Sequence, residues 1–155
     1  MKTTSKLLIV ILCFVLFSAC RNNYKSLNAP DRSEEELEEL IYKYGDIDAY
    51  DELGIAYCDK PVGTFLPFSF AMAYTYDYPQ AYFDIATDLM SIYNRNNKDK
   101  MTDKMTDRIA SIIIEYLQNA YERGHLQAKE YLEESGIVET DTDKEKVLKI
   151  YNKFW

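Results

Sequence analysis

Three stretches of the chain place a turn-forming residue, a small residue and a large aliphatic one at equal intervals of four. Gly45-x3-Ala49-x3-Leu53 recurs as Gly124-x3-Ala128-x3-Leu132, and Asp77-x3-Ala81-x3-Ile85 lies between them. Four residues make about one helical turn, so each triplet sets its small and its large residue on one helix face just after a break. Glycine at the break reaches left-handed backbone without a Cβ clash. Alanine then lets a neighbouring helix come close, and Leu or Ile one turn on fills the gap. The offsets of 32 and 47 residues are close to the length of a two-helix unit. The pattern predicts an all-α fold, a stack of antiparallel helix pairs in about three irregular repeats.

Periodicity elsewhere agrees. Ile109, Ile113, Tyr116, Leu117 and Ala120 share one helix face that Ile112 and Ile114 widen, which predicts the most buried helix here. Ser33 and Glu36 have capping-box spacing before an acidic first turn, and Gly45 is placed to end that helix. No stretch alternates in the way a half-buried strand requires. The charged, Asn-rich run 94–107 is the widest break after the N-terminal region.

Gly45-Asp-Ile-Asp-Ala49-Tyr-Asp-Glu-Leu53-Gly54-Ile-Ala-Tyr57 reads as G-x3-A-x3-L-G-x2-Y, and Tyr116, Ala120, Gly124, Ala128 and Leu132 match the end of one unit and the start of the next. These residues resemble the Sel1-like branch of the tetratricopeptide repeats over about 41–136. The middle unit departs by starting a helix at Pro79, and "PVGTF" is inserted after the first helix. The resemblance implies a helical solenoid with a binding groove lined by the first helix of each pair. It makes Leu53, Ile85 and Leu132 equivalent buried positions. The side chains five before, two before and two after each of them then face the groove: Asp48, Asp51 and Ile55; Gln80, Phe83 and Thr87; Gln127, Glu130 and Glu134. Four of these nine are acidic and none is basic. The implied partner is a protein offering Lys or Arg around an apolar residue, with Phe83 as the anchor.

The N-terminus places the domain. Lys2 and Lys6 precede an apolar run from Leu7 to Phe17, then Ser18, Ala19 and Cys20. A positive start, a short apolar core and a small-residue site form a signal peptide, too short to span a bilayer. Leu16-Phe17-Ser18-Ala19-Cys20 resembles a bacterial lipobox, which makes 1–19 the signal, Cys20 the lipidated residue, 20–32 a flexible tether and 33–155 one helical domain; an ordinary cleaved secretory protein is the alternative. Arg21 rather than Asp follows the cysteine, which favours the outer membrane, facing periplasm or exterior. The only contact with the membrane is then the lipid.

Removing 1–19 takes away two lysines and no acid, so the formal charge moves from −8 to −10. Such a chain is poorly suited to nucleic acid, whose affinity comes largely from Lys and Arg. Cys58 is the one cysteine outside the signal and the lipobox, so packing rather than a disulfide must hold the domain. His125, the only histidine, follows a helix-ending glycine. It has no second histidine or nearby cysteine to ligate with and no serine to activate, so an exposed turn residue is expected. Asp46, Asp48 and Asp51 miss the calcium-loop pattern at Asp51 and Tyr57, and first-turn helix acids account for them. No cofactor or metal is expected. Fourteen tyrosines, five aromatics of them or near them within 74–83, are read as core or as a partner-binding face.

The function expected is a non-enzymatic protein-interaction module of the cell envelope. An immunity protein against an envelope-targeted toxin is the alternative, and a glycan-acting enzyme using two carboxylates roughly 5–10 Å apart is a further one. Cys20→Ala should move the protein from the membrane to the soluble fraction or leave it uncleaved. Unchanged fractionation would exclude the lipid anchor.

Overall fold

A computed structural model describes residues 28–95 and 105–155 of the chain. Those residues form seven α-helices and no strand: α1 (Glu34–Tyr44), α2 (Ile47–Tyr57), α3 (Leu66–Tyr76), α4 (Pro79–Arg95), α5 (Asp107–Glu122), α6 (Leu126–Glu134) and α7 (Asp143–Phe154). Neighbours in sequence pack together: α1 on α2, α3 on α4, α4 on α5, α5 on α6 and, lightly, α6 on α7. In addition α1 meets α3 and α5 meets α7. The fold is all-α.

The three break positions of the recurring triplet all have left-handed backbone, with φ of 61° at Gly45, 54° at Asp77 and 87° at Gly124. Asp77 is the non-glycine case. Its strain is offset by side-chain bonds, since Asp77 Oδ1 accepts from Arg123 Nε at 2.5 Å and from the Tyr82 hydroxyl at 3.0 Å. At the third break the His125 amide donates to the Ala120 carbonyl and the Gly124 amide to the Tyr121 carbonyl, the paired bonds of a Schellman end. Ala49, Ala81 and Ala128 are fully buried after their breaks, as are Leu53 and Ile85. Leu132 departs from the expectation: it is half-buried, beside Ile137 at an open pocket, because nine-residue α6 has only a light contact with α7 on that side.

Side-chain acceptors start most helices, as the cap residues require. Ser33 accepts from the Glu36 amide, Asp46 from Ala49, Thr106 from Ile109 and Thr142 from Glu145; Thr142 and Glu145 form a full capping box. Asp46 is therefore a helix cap, which is the role expected for the acids around it.

The core lies along α4 and α5. Buried are Ala81, Tyr82, Phe83, Ile85, Ala86 and Met90 of α4, and Ala110, Ile113, Ile114, Leu117 and Ala120 of α5. The face of α5 is turned slightly from the expected one, with Ile109 and Tyr116 only partly buried. Tyr116 sits at the boundary because its hydroxyl bonds that of exposed Tyr74 at 2.5 Å. Helix α4 buries as much as α5, so α5 is not alone at the centre. Between α2 and α3 the space is filled by Tyr50, Tyr57, Phe65 and Phe68, with ring centroids 4.9–5.6 Å apart.

The last residues of the expected tether are held against α2. Glu52 Oε1 accepts from the amides of Asp31 and Arg32, and Arg32 Nε donates to Glu52 Oε2 at 2.9 Å. At the other end Lys149 donates to the Gly136 carbonyl at 3.0 Å and pairs with Asp141 at 2.6 Å, while Tyr131 stacks on Phe154 at 4.3 Å.

Two glycines separate strain from crowding. A Cβ at Gly124 would meet open space, whereas one at Gly45 would overlap the Tyr76 ring. Gly124→Ala should cost about 1 kcal/mol, the left-handed strain alone. Gly45→Ala should cost a further roughly 1–3 kcal/mol from overpacking, measured as the difference between the two denaturation free energies.

Candidate functional site

Helices α2, α4 and α6 carry all nine residues of the expected groove, and the structure divides them. Asp48, Asp51, Ile55, Gln127, Glu130 and Glu134 are exposed, Ile55 by 56%. The α4 group is not. Phe83 is 6% exposed, stacked on His125 at a centroid distance of 4.4 Å and edge-on to Tyr131 at 5.2 Å. It cannot be an anchor for a partner, because α6 and its cap already cover the ring. Gln80 and Thr87 are half-buried, with Thr87 Oγ1 donating to the Asp84 carbonyl at 3.1 Å. Glu134 is paired with Lys153 of α7 at 3.3 Å.

His125 is likewise not an idle turn residue. It is the N-cap of α6: Nδ1 accepts from the Ala128 amide at 3.2 Å, and Nε2 is 2.7 Å from Gln80 Oε1. An accepting Nδ1 leaves the proton on Nε2, so the ring is neutral and donates to Gln80. Sequence reasoning found no partner because Gln80 lies 45 residues away. His125 is also outside the usual cap set of Ser, Thr, Asp and Asn.

From Gln80 the bonds continue inward. Gln80 Nε2 donates to Asp84 Oδ1 at 2.7 Å, and the Tyr50 hydroxyl donates to Asp84 Oδ2 at 2.7 Å. Since that uses the one phenolic hydrogen, the fully buried Ser69 hydroxyl donates to the Tyr50 oxygen, 2.9 Å away. One chain of directed bonds therefore joins α3, α2, α4 and the start of α6, with the Asp84 carboxylate as its terminal acceptor. The carboxylate has no Lys or Arg partner among the described residues. Burial raises the Asp84 pKa, and the bonds from Tyr50 and Gln80 pull it partly back. Burial and then Asp84 push the Tyr50 phenol well above its usual range.

Asp84 and Asp88 line a pocket of about 310 Å³ between α2 and α4, walled by Gly54, Tyr57, Lys60, Phe65 and Thr87. Asp88 is pushed up to about 6, by burial first and by the Asp84 charge second. Lys60 supplies a cation at the rim, but it is held by Glu34 at 2.7 Å and lies 3.6 Å over the Tyr57 ring. On the same helix α2, partial desolvation and then the Asp48 charge raise the Asp51 pKa, though its side chain is exposed. The α2–α4 side is thus a partly desolvated negative surface. No group of three or more metal-ligating side chains occurs among the described residues.

The tyrosines divide between core and surface. Tyr50 and Tyr82 are core, at 2% and 6% exposure, whereas Tyr74 is 67% exposed beside Phe70 on α3. Arg123 lies 4.4 Å over the Tyr82 ring. Cys20 lies outside the described residues, and among those described no helix is long and apolar enough to cross a membrane. No protein-family model matches the sequence, and neither a curated protein nor a solved structure similar to it was found.

The raised pKa of Asp88 has a fixed sign. The fold disfavours its charged form, so stability is gained as pH falls through about 6 towards the ordinary carboxylate range. Asp88→Asn should therefore melt above the native chain at pH 7.5, with the difference shrinking towards pH 4.5. Calorimetry at several pH values checks both parts.

Proposed function

We propose that the protein is a non-enzymatic interaction module of the bacterial envelope, carried on a lipid at Cys20. Its helices act as Sel1-like antiparallel pairs, and α2 and α6 take a protein partner with a basic surface. The observation that carries this reading is the state of the exposed residues on those helices. Asp48, Asp51 and Glu130 form no ion pair with Lys or Arg among the described residues, and Ile55 stands exposed on α2 with the first two. Ile55 replaces buried Phe83 as the apolar anchor. Complementary rim charges would set association rate and salt sensitivity, and the apolar anchor would set residence time.

Within this class an immunity protein that neutralises an envelope-targeted toxin fits the small acidic chain, and the toxin then supplies the basic surface. The competing enzymatic reading draws on Asp84 and Asp88 in one pocket. Against it, both Asp84 oxygens accept bonds from Tyr50 and Gln80, which ties that carboxylate into the chain of bonds that joins the helices.

With a partner isolated from envelope extract, Asp51→Lys combined with Glu130→Lys should slow association roughly tenfold at low salt and flatten its salt dependence. Ile55→Asp should instead speed dissociation. Surface-based kinetic measurements separate the two, and native rates in both variants would remove α2 and α6 from the interface.

A further inference from the structure

His125 is a cap that works in one protonation state only. Its Nδ1 must keep a lone pair for the Ala128 amide while Nε2–H donates to Gln80. An imidazolium carries a proton on both nitrogens, so neither orientation of the ring can accept from that amide. The Ser, Asp and Thr caps of α1, α2, α5 and α7 accept through oxygens and keep an acceptor in mild acid. Among the described helices with a side-chain cap, only α6 is started by a group that loses its acceptor there.

Helix α6 is also the shortest of the described helices, so one cap is a large share of what holds its start. It has nine residues, a single fully buried side chain, Ala128, and a light contact with α7. It also packs on α5, and Tyr131 meets Phe154 and Trp155, but its start is held to α4 by the Phe83–His125 stack and the Phe83–Tyr131 edge contact, and the first belongs to the same histidine. We propose that His125 makes α6 an acid-released element, in which protonation of Nδ1 withdraws the cap from Ala128 and frees the helix that carries Gln127, Glu130 and Glu134. That this regulates partner binding rests on the reading of α6 as part of the binding face; release of the helix does not.

The charged groups around the ring are few. On α4 Asp84 stands behind Gln80, with Asp88 beyond it; at the preceding turns Asp77 is paired with Arg123 of the α5 end. Lys129 and Glu130 are exposed on α6 itself, and on α7 Lys153 is held at the far end of α6 by Glu134. None of them forms an ion pair with the imidazole among the described residues. Burial lowers the His125 pKa below the usual histidine range. A depressed folded-state value means that the stabilisation is present above the unfolded-state value and lost as pH falls through the folded one. Asp84 and Asp88 have raised values and act with the opposite sign, so global melting mixes the two effects. A local measurement is required.

Amide exchange by NMR on the full mature chain supplies it. Protection factors across 128–134, corrected for intrinsic exchange, should fall roughly tenfold as the His125 ring titrates, while those of α2 hold. The ring nitrogens should report the Nε2–H tautomer above the transition. His125→Asn keeps a cap that does not titrate in this range, so its α6 protection should be level across the same pH interval. Unchanged α6 protection through the His125 titration would overturn the proposal. An equal acid loss in His125→Asn would overturn it too, and should that variant not fold, the native titration decides alone. Since amides and not binding are read, a failure here is separate from a failure of the binding face.

Discussion

The Asp84 carboxylate is the point on which the arrangement of helices depends. It is half-buried, unaccompanied by a cation among the described residues, and satisfied by hydrogen bonds from Tyr50 of α2 and Gln80 of its own helix. A buried acceptor is costly when left unmade, more so when charged. Each donor is therefore held to one place: Tyr50 must reach across from α2, and Gln80 must turn its amide inward. Ser69 then fixes the phenol from α3, and His125 is fixed by the oxygen of Gln80. Apolar packing would tolerate sliding of these helices, but this chain of directed bonds does not.

The same bonds explain why the α4 surface is closed while those of α2 and α6 are open. Gln80 is engaged on both ends of its amide, and Phe83 lies beneath the ring that Gln80 positions. What is left to solvent is a pair of acidic helix faces on either side of a polar seam. Asp88, at the edge of the seam, carries the consequence of that burial as a raised pKa.

Local patterns were legible wherever the controlling physics is local. The helix breaks at Gly45, Asp77 and Gly124, the buried alanines after them, and the Ser33 cap all follow from spacing and residue type. Less legible was the exact face of α5, where Tyr116 moves to the boundary to satisfy its hydroxyl with Tyr74. Leu132 shows the limit of equivalence by spacing: its two counterparts are fully buried, but α6 lacks enough neighbours to cover it.

The site was less readable than the fold because its members are far apart in sequence. Tyr50, Ser69, Asp84 and His125 have no motif in common, and an aspartate on a helix ordinarily signifies a solvated face. Phe83 has the spacing of a groove residue and becomes core because His125 and Tyr131 cover it. By itself the sequence determined that the chain is helical, where its helices break and that its formal charge is strongly negative, since propensity, period and ionisation are properties of the local chain. Tertiary structure alone decided which acid is drawn into the hydrogen-bond chain, which histidine nitrogen keeps its proton and which of the nine groove positions stay open. Those outcomes depend on which donors and rings from distant segments arrive within about 3–5 Å of each other, a distance range set by hydrogen bonding and ring contact.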